Sequence, residues 1–121
     1  NFVTLALRAL AAKREFAAVS DLVVSPTYVP DLVDASLDLL IDRERGLWHL
    51  ANQGSLSWLE LALRAARLAG VPTTTLRRMS YEETAWDARR PAYSVLGSER
   101  GALLPPLDSA LHAFVAATQG A

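Results

Sequence analysis

At the centre of the sequence stands the segment SPTYVPDL (residues 25–32). Its two prolines, Pro26 and Pro30, each fix their own φ and push the residue before them towards extended geometry. The hydroxyl side chains between them are therefore held on a stiff turn, just before an acidic and apolar run with the pattern of a helix. A helix N-terminus offers unpaired N–H groups and the positive end of the helix dipole, which suit an anionic ligand. Two interpretations stay open here: an anion-binding turn, or a helix start defined only by its prolines.

Apolar periodicity on both sides of this turn predicts an alternation of helices and strands. Helices are predicted over residues 2–13, 31–42 and 57–69 and from Pro105-Pro106 onwards, strands over residues 16–19, 47–50 and 73–76, a capped turn over residues 80–83, and a loop or short strand over residues 88–96. The clearest helix begins at Ser57, which has capping-box spacing to Glu60. This alternation predicts an α/β fold, and the lack of repeats and linkers predicts one domain over residues 1–121.

The composition argues against several classes of partner and site. With 121 residues, of which 51% are hydrophobic and 21% charged, the chain has the makeup of a globular domain. Its net charge of −1 and its two isolated arginine pairs, at residues 77–78 and 89–90, argue against nucleic-acid binding. There is no cysteine, and His49 and His112 are far apart, so we predict neither a disulfide nor a metal site.

No stretch of the sequence is predicted to cross a membrane or to act as a signal peptide. The apolar residues of the second helix are interrupted by Asp34, Asp38 and Asp42, whereas a bilayer span needs roughly 18–20 apolar residues. We therefore expect a cytoplasmic protein without membrane contact. The chain begins with Asn1 and not with methionine, and we expect it to be a piece of a longer protein.

The sequence lacks the motifs of a complete dehydrogenase. A glycine-rich turn between a strand and a helix lets backbone N–H groups approach a pyrophosphate, but no two of the six glycines stand in GxG spacing. The Tyr-x-x-x-Lys pair of short-chain reductases is missing as well, since Lys13 is the only lysine and no tyrosine precedes it at that spacing. We predict no cofactor-binding, catalytic or metal-binding residue in this chain.

Five segments occur in an order that indicates a known family. They are NFV (1–3), SPTYVPDL (25–32), GLWHLA (46–51), SWLELA (57–62) and RPAYSVL (90–96). With these segments the chain resembles the C-terminal half of the dTDP-4-dehydrorhamnose reductase family, in the extended short-chain dehydrogenase/reductase superfamily. The resemblance covers nearly the whole chain. Each segment is weakly specific by itself, whereas five in this order and spacing are fairly specific.

The resemblance implies both a fold and a function. The implied fold is the α/β substrate-binding lobe of an extended short-chain dehydrogenase/reductase, without the N-terminal Rossmann part. Members of the family use NADPH to reduce the 4-keto group of dTDP-6-deoxy-L-lyxo-4-hexulose, the last step to dTDP-L-rhamnose. The Rossmann part of the longer protein would hold NADPH and the Tyr-x-x-x-Lys pair, and this chain would bind the nucleotide sugar. The expected partners are therefore the nucleotide sugar and that Rossmann part.

Three positions depart from the family pattern. The family usually has Asp-Gln shortly before Gly-Ser-Pro-Thr, whereas this chain has Leu22 and Val24 in place of the glutamine and the glycine. Leu22 cannot hydrogen-bond a sugar or a phosphate, and Val24 disfavours the positive φ that a glycine would permit. Gly97 stands where the family has Asp or Asn. The alternative function is therefore a non-catalytic protein-interaction module that keeps the reductase-like fold.

Arg90 is the first candidate for ligand binding. A guanidinium offers a planar fork of donors that fits a diphosphate, and Pro91 stiffens the loop that carries it. The resemblance implies that an arginine near this point reaches the nucleotide diphosphate. A surface ion pair between Arg90 and Asp87 is the competing interpretation. Arg89 is the candidate if the register is shifted by one residue.

The remaining candidates for substrate binding lie at the chain start and on the proline turn. The resemblance matches Asn1 to an asparagine near the diphosphate, although a chain terminus is often disordered. On the turn, Ser25, Thr27 and Tyr28 are candidates for contact with the substrate. The competing role of the Ser25 and Thr27 hydroxyls is to hydrogen-bond the backbone of the turn itself.

For most of four further aromatic or imidazole side chains, we expect a structural role and not contact with a ligand. We expect Trp48 and Trp58 in the core, with stacking on a thymine base as the minor alternative. His49 is expected as a buried or half-buried imidazole in a strand. Trp86 lies in a polar loop, where its exposure would indicate a ligand surface.

Surfaces that normally pack on the Rossmann part would be uncovered in this chain, so we expect an exposed apolar patch and self-association.

Overall fold

Helices and strands alternate along residues 1–120, the part of the chain that the computed structural model describes. The helices of this part are α1 (Phe2–Ala11), α2 (Val29–Ile41), α3 (Trp58–Leu68) and α4 (Leu107–Gln119), with a 3₁₀ turn at Tyr81–Glu83. Its strands are β1 (Phe16–Val19), β2 (Val23–Val24), β3 (Leu56–Ser57), β4 (Leu76–Met79) and β5 (Tyr93–Ser94). The α/β fold predicted from the alternation is confirmed.

Side-chain hydrogen bonds define where α1 and α3 begin. Asn1 Oδ1 accepts the Thr4 N–H at 3.0 Å, so the first residue of the chain caps α1. At α3, Ser57 Oγ accepts the Glu60 N–H at 3.2 Å, and Glu60 Oε2 accepts the Ser57 N–H at 2.8 Å. The capping box predicted from the sequence is therefore present.

Two small sheets connect the helices. β1 and β4 pair in parallel, from Phe16 opposite Leu76 to Val19 opposite Met79. β2 is the central strand of the other sheet, because it pairs antiparallel with β3 and parallel with β5. The proline turn begins directly after Val24, the last residue of β2, and is therefore anchored to the middle of this second sheet.

Small side chains let the helices approach closely in the core. Ala6 of α1 and both Ala62 and Ala65 of α3 have no exposed surface. Larger buried side chains from α3, α4 and the segments before these helices complete the core: Leu56, Leu61, Leu104, Leu107, Leu111 and Val115. Each such side chain contributes about 1.5–3 kcal/mol when fully buried. Packing between α1, α3 and α4 thus fixes the positions of the residues at the N-termini of these helices.

The strand predicted over residues 47–50 is wrong. In the part of the chain that the structure describes, no strand pairs with this segment. Bulky residues favour a strand only where a neighbouring strand accepts their backbone hydrogen bonds. His49, expected inside, is exposed, and its Nδ1 lies 3.0 Å from the Gly97 carbonyl oxygen. Trp48 is half-buried, with the Arg100 guanidinium carbon 3.9 Å from its ring centroid.

Two element boundaries also differ from the prediction. The threonine-rich strand predicted up to Leu76 begins there instead, since the Leu76 N–H donates to the Thr73 carbonyl oxygen at 3.0 Å and closes a turn. α2 starts at Val29, earlier than predicted, because Pro30 in the first helical turn needs no partner for an N–H group. The last residues of the proline turn are therefore also the first residues of α2.

α2 carries an exposed apolar stripe on the face opposite the buried Ala35. Its members recur every three or four residues, and we name them together the α2 stripe: Val29, Val33, Leu37, Leu40 and Ile41. Leu40 and Ile41 are more than 70% exposed, at 73% and 74%. The exposed apolar patch expected from the sequence is thus present on this helix.

Candidate functional site

Two cavities lie beside the residues that the sequence singles out, and they share part of their wall. Phe2 and Trp58 line both, with ring centroids 4.8 Å apart. The first cavity, of about 480 Å³, is named the turn cavity because residues 26–30 line it. The second, of about 530 Å³, is named the arginine cavity because Arg90 lines it. Both volumes fall in the range of ligand-binding pockets.

Three of the six candidate residues line the turn cavity, namely Asn1, Thr27 and Tyr28. Apolar side chains of α3 and α4 form the opposite wall. The Tyr28 ring packs edge-on against Phe114 of α4, with ring centroids 6.3 Å apart. The cavity therefore offers a few polar groups on one side and an apolar surface on the other, an arrangement that suits a ring of mixed polarity.

The hydroxyl groups of the proline turn have partners inside the protein. Ser25 Oγ accepts the Leu96 N–H at 2.9 Å, which ties the turn to the residues that follow β5. Thr27 Oγ1 donates to the Ser25 carbonyl oxygen at 3.5 Å. Both hydroxyls thus help to stabilise the turn, whatever they contact in a ligand.

The start of α2 is poorly suited to an anion. Pro30 has no N–H group, and the Tyr28 N–H is donated to Asn52 Oδ1 at 2.7 Å. Asp31 brings a carboxylate into the first turn, where it already interacts with the positive end of the helix dipole. Of the two interpretations of the turn, the geometry favours a helix start defined by its prolines.

A cation and two aromatic rings form one side of the arginine cavity. The Arg90 guanidinium carbon lies 5.0 Å from the centroid of the Trp86 ring, within cation–π range. Tyr81 lies 6.0 Å from Trp86 between ring centroids, and its hydroxyl accepts the Arg90 N–H at 3.1 Å. The same hydroxyl donates to the Ala88 carbonyl oxygen at 3.2 Å, so this loop closes around Tyr81. Trp86 is 46% exposed, so part of its ring is accessible to solvent.

The charge of Arg90 is available to a ligand. In the part of the chain that the structure describes, its guanidinium forms no salt bridge, either with Asp87 or with another carboxylate. Arg89 is exposed, and its side chain lines neither the turn cavity nor the arginine cavity. Of the two neighbouring arginines, Arg90 is therefore the one that faces a cavity.

Among residues 1–120, Glu83 is the one carboxylate that lines the arginine cavity, and its oxygen atoms have other partners. Its Oε2 accepts the Ser80 N–H at 2.6 Å and so caps the 3₁₀ turn. This backbone hydrogen bond, helped by the Arg77 guanidinium 3.6 Å away, lowers the pKa of Glu83. Glu83 therefore stays ionised at neutral pH while its charge is balanced by these partners and not by Arg90.

Other kinds of site find no support among residues 1–120. They contain no group of three or more His, Asp or Glu side chains that could hold a metal ion. None of the helices there has the length and apolar character needed to cross a membrane. The candidate site consists of aromatic rings, one guanidinium and a hydrogen-bonded turn.

Comparison with known families gives a match along almost the whole chain. The family model described as the RmlD substrate binding domain matches residues 1–116. The chain belongs to the RmlD substrate binding domain family. The relationship that the five sequence segments indicated is thereby confirmed.

Individual relatives agree with this family. The chain is 38% identical over 96 residues to the spore coat polysaccharide biosynthesis protein SpsK of Bacillus subtilis, covering 79% of this chain and 33% of that protein. It is 35% identical to the dTDP-4-dehydrorhamnose reductase of Mycolicibacterium smegmatis, covering 100% of this chain and 39% of that protein. The chain thus spans between a third and two fifths of the length of these curated relatives.

A solved structure confirms the fold. The dTDP-4-dehydrorhamnose reductase of Bacillus anthracis, crystallised in complex with NADP, superimposes with a TM-score of 0.88. The two sequences are 32% identical, and the superposition covers 97% of this chain and 43% of the other. The α/β substrate-binding lobe predicted from the resemblance is therefore the fold of this RmlD-type domain.

The two departures near the turn have structural roles in this RmlD-type domain. Leu22 is 3% exposed and belongs to the core. Val24 lies in β2, opposite Leu56 of β3 and Ser94 of β5. Leu22 thus serves packing and Val24 lies in a paired strand, at the two positions where the resemblance led us to expect an amide and a glycine.

Sequence reasoning missed two polar residues that shape the site. Asn52 is 1% exposed and hydrogen-bonds residues 21 to 53 positions away, so neither periodicity nor a short motif indicates its partners. Its place directly after the GLWHLA segment is the one signal that could have drawn attention to it. Tyr81 lies in a turn that the sequence predicts to be capped, and nothing in the sequence indicates that its hydroxyl accepts the Arg90 N–H.

Proposed function

We propose that this chain is the nucleotide-sugar-binding lobe of a dTDP-4-dehydrorhamnose reductase-like protein that acts in dTDP-L-rhamnose biosynthesis. Membership of the RmlD substrate binding domain family and the names of the relatives support this proposal. The single observation that carries it is the Arg90 guanidinium, which lines the arginine cavity, lies over Trp86 and forms no salt bridge in the described part of the chain.

In this proposal Arg90 binds the diphosphate of the nucleotide sugar. A guanidinium donates two parallel hydrogen bonds to phosphate oxygens, and such charge-assisted bonds are stronger than neutral ones. The Trp86 ring supports the guanidinium from one side, and the bond from the Arg90 N–H to Tyr81 fixes the base of the side chain. A side chain held in this way loses little freedom when it binds.

The turn cavity takes the part of the ligand beyond the diphosphate. Because Phe2 and Trp58 line both cavities, one ligand can reach from Arg90 into the turn cavity. Thr27 and Tyr28 lie in its wall and are assigned contacts with the sugar. The Oδ1 of Asn1 is used to cap α1, so we assign its amide N–H group to the ligand. Ser25 contributes by shaping the turn.

NADPH and the catalytic pair are assigned to a Rossmann part outside this chain. NADPH bound in that Rossmann part would supply the hydride for reduction of the keto group, and the relative from Bacillus anthracis was crystallised with NADP. The residues of this chain do not fit the cofactor, because no two glycines have the spacing that lets backbone N–H groups surround a pyrophosphate. The Rossmann part would cover the apolar α2 stripe. A cytoplasmic location completes the proposal.

Calorimetry with dTDP and the full-length protein that contains this chain tests the proposal. We expect Arg90→Ala to weaken dTDP binding about 10- to 100-fold, since hydrogen bonds to a charged group contribute roughly 1.5–3 kcal/mol. Arg89→Ala is the matched control, because it removes the same charge from a side chain outside both cavities. An affinity unchanged by Arg90→Ala would remove this residue from the site.

The second candidate function is a non-catalytic protein-interaction module with a reductase-like fold. Leu22 and Val24 favour it, because a core leucine and a strand valine replace the expected amide and glycine. A wild-type protein that does not bind dTDP, encoded by a gene without a glycine-rich turn and Tyr-x-x-x-Lys before Asn1, would support this alternative. Both motifs together with dTDP binding would support the reductase.

A further inference from the structure

Asn52 joins three separate segments beside the turn cavity. Its Oδ1 accepts the Tyr28 N–H at 2.7 Å, and its Nδ2 donates to Asp31 Oδ2 at 2.7 Å and to the Pro105 carbonyl oxygen at 3.0 Å. The side chain is 1% exposed, so these three bonds satisfy its amide without water. Asn52 therefore connects the proline turn, the first turn of α2 and the segment before α4.

We propose that Asn52 is a positioning residue that sets the width of the turn cavity. Tyr28 belongs to one wall of this cavity, and Leu107 and Leu111 of α4 belong to the other. Asn52 is hydrogen-bonded to the backbone of Tyr28 and to the backbone of Pro105, two residues before Leu107. One buried side chain thus holds both walls, and the inference rests on the proposed ligand-binding function of the cavity.

The chemistry of the three bonds requires an asparagine. Its planar amide supplies one acceptor for the Tyr28 N–H and two donors for the two oxygen atoms. The bond to Asp31 is charge-assisted, which makes it the strongest of the three. An aspartate at position 52 would keep the acceptor but would place a second carboxylate beside Asp31. An alanine would leave the Tyr28 N–H and two oxygen atoms without partners in a site closed to water.

Gln53 provides a matched comparison. Its Nε2 donates to the Leu104 carbonyl oxygen at 2.9 Å. Its backbone N–H donates to the Pro105 carbonyl oxygen, and its carbonyl oxygen accepts the Leu107 N–H. All these contacts lie on the α4 side of the cavity, and none reaches the proline turn. A variant of Gln53 therefore weakens one wall without changing the distance between the two.

The test measures dTDP affinity by calorimetry in the full-length protein that contains this chain, alongside thermal unfolding. We expect Asn52→Ala to weaken dTDP binding by about fivefold or more, and Gln53→Ala to stay within about twofold of the wild type. The exchanged pair Asp31→Asn with Asn52→Asp keeps the acceptor for the Tyr28 N–H, removes the repulsion between two carboxylates and reverses the direction of the bond between positions 31 and 52. Because an aspartate at position 52 has no donor for the Pro105 carbonyl oxygen, the bond to the α4 side stays broken. The pair should therefore recover thermal stability relative to Asn52→Asp but bind dTDP about fivefold or more weakly than the wild type.

The exchanged pair separates positioning from a general loss of stability, and it remains measurable if Asn52→Ala does not fold. An exchanged pair that recovers both stability and wild-type dTDP affinity would overturn the inference, because the bond to Pro105 would then not be needed. Equal affinities of Asn52→Ala and Gln53→Ala would also overturn it. If these results are seen while Arg90→Ala still weakens dTDP binding about 10- to 100-fold, the proposed function stands and only the role of Asn52 falls. A wild type that does not bind dTDP overturns both.

Discussion

The aromatic wall between the two cavities should stabilise the contact between α1 and α3. Phe2 contacts two other aromatic rings: it meets Phe16 edge-on at 5.5 Å and Trp58 in a tilted arrangement at 4.8 Å between centroids. Such pairs contribute roughly 0.5–1.5 kcal/mol each beyond their buried area. Phe2→Leu keeps most of the apolar volume and removes both pairs, so we expect a loss of about 1–3 kcal/mol.

Hydrogen exchange of the α1 and α3 amides in the full-length protein measures this loss locally, without requiring two-state unfolding of the whole chain. We expect protection to fall by about 5- to 150-fold, the equivalent of that free energy. Leu5→Ala is the control, since Leu5 lies on the same helix but is 59% exposed. Equal protection in Phe2→Leu and Leu5→Ala would refute the argument that the ring contacts stabilise this wall.

Two further predictions concern the surface. The isolated chain should self-associate at high concentration through the α2 stripe, which sedimentation velocity measures. Leu40→Glu should reduce the self-association more than Leu63→Glu, because the Leu63 side chain on α3 is less exposed than that of Leu40. A strictly monomeric wild type would contradict this prediction. The second concerns acid: because the pKa of Glu83 is lowered, its cap on the Ser80 N–H persists below the pH at which a free glutamate titrates and is lost as the pH falls further. The Ser80 amide resonance should report this step, and a Glu83→Gln variant that keeps it would show that another group titrates.

The elements that the sequence predicted well are those with local causes. α3 follows from a capping box whose two hydrogen bonds join residues three positions apart, and from an apolar face that repeats with the helical period. The strand over residues 16–19 also occurs where its apolar run predicted it. Local patterns suffice in these cases because the partners of each residue are close in the sequence.

The features that sequence reasoning missed depend on distant partners. Residues 47–50 have the composition of a strand but pair with no strand in the described part of the chain, so composition alone was misleading. Asn52 finds its acceptors at Asp31 and Pro105, and no spacing rule connects these positions. Arg90 is a candidate because of its residue type and the resemblance, whereas its contact with the Trp86 ring depends on the conformation of the loop and cannot be predicted from the sequence.

The departures at Leu22 and Val24 bear on the choice between a reductase and an interaction module. β2 pairs with β5, and the loop that carries Arg90 leads directly into β5, with the Val23 N–H donated to the Ala92 carbonyl oxygen at 2.8 Å. The proline turn leaves from the other end of β2, so one short strand anchors a wall of each cavity. A buried leucine before this strand and a valine within it make the anchor firmer while they remove groups that could contact a ligand. Leu22 and Val24 therefore remove groups that could contact a ligand but keep β2 in place between the turn and the loop of Arg90. Because these two effects point to different functions, dTDP binding by the full-length protein decides between a reductase and an interaction module.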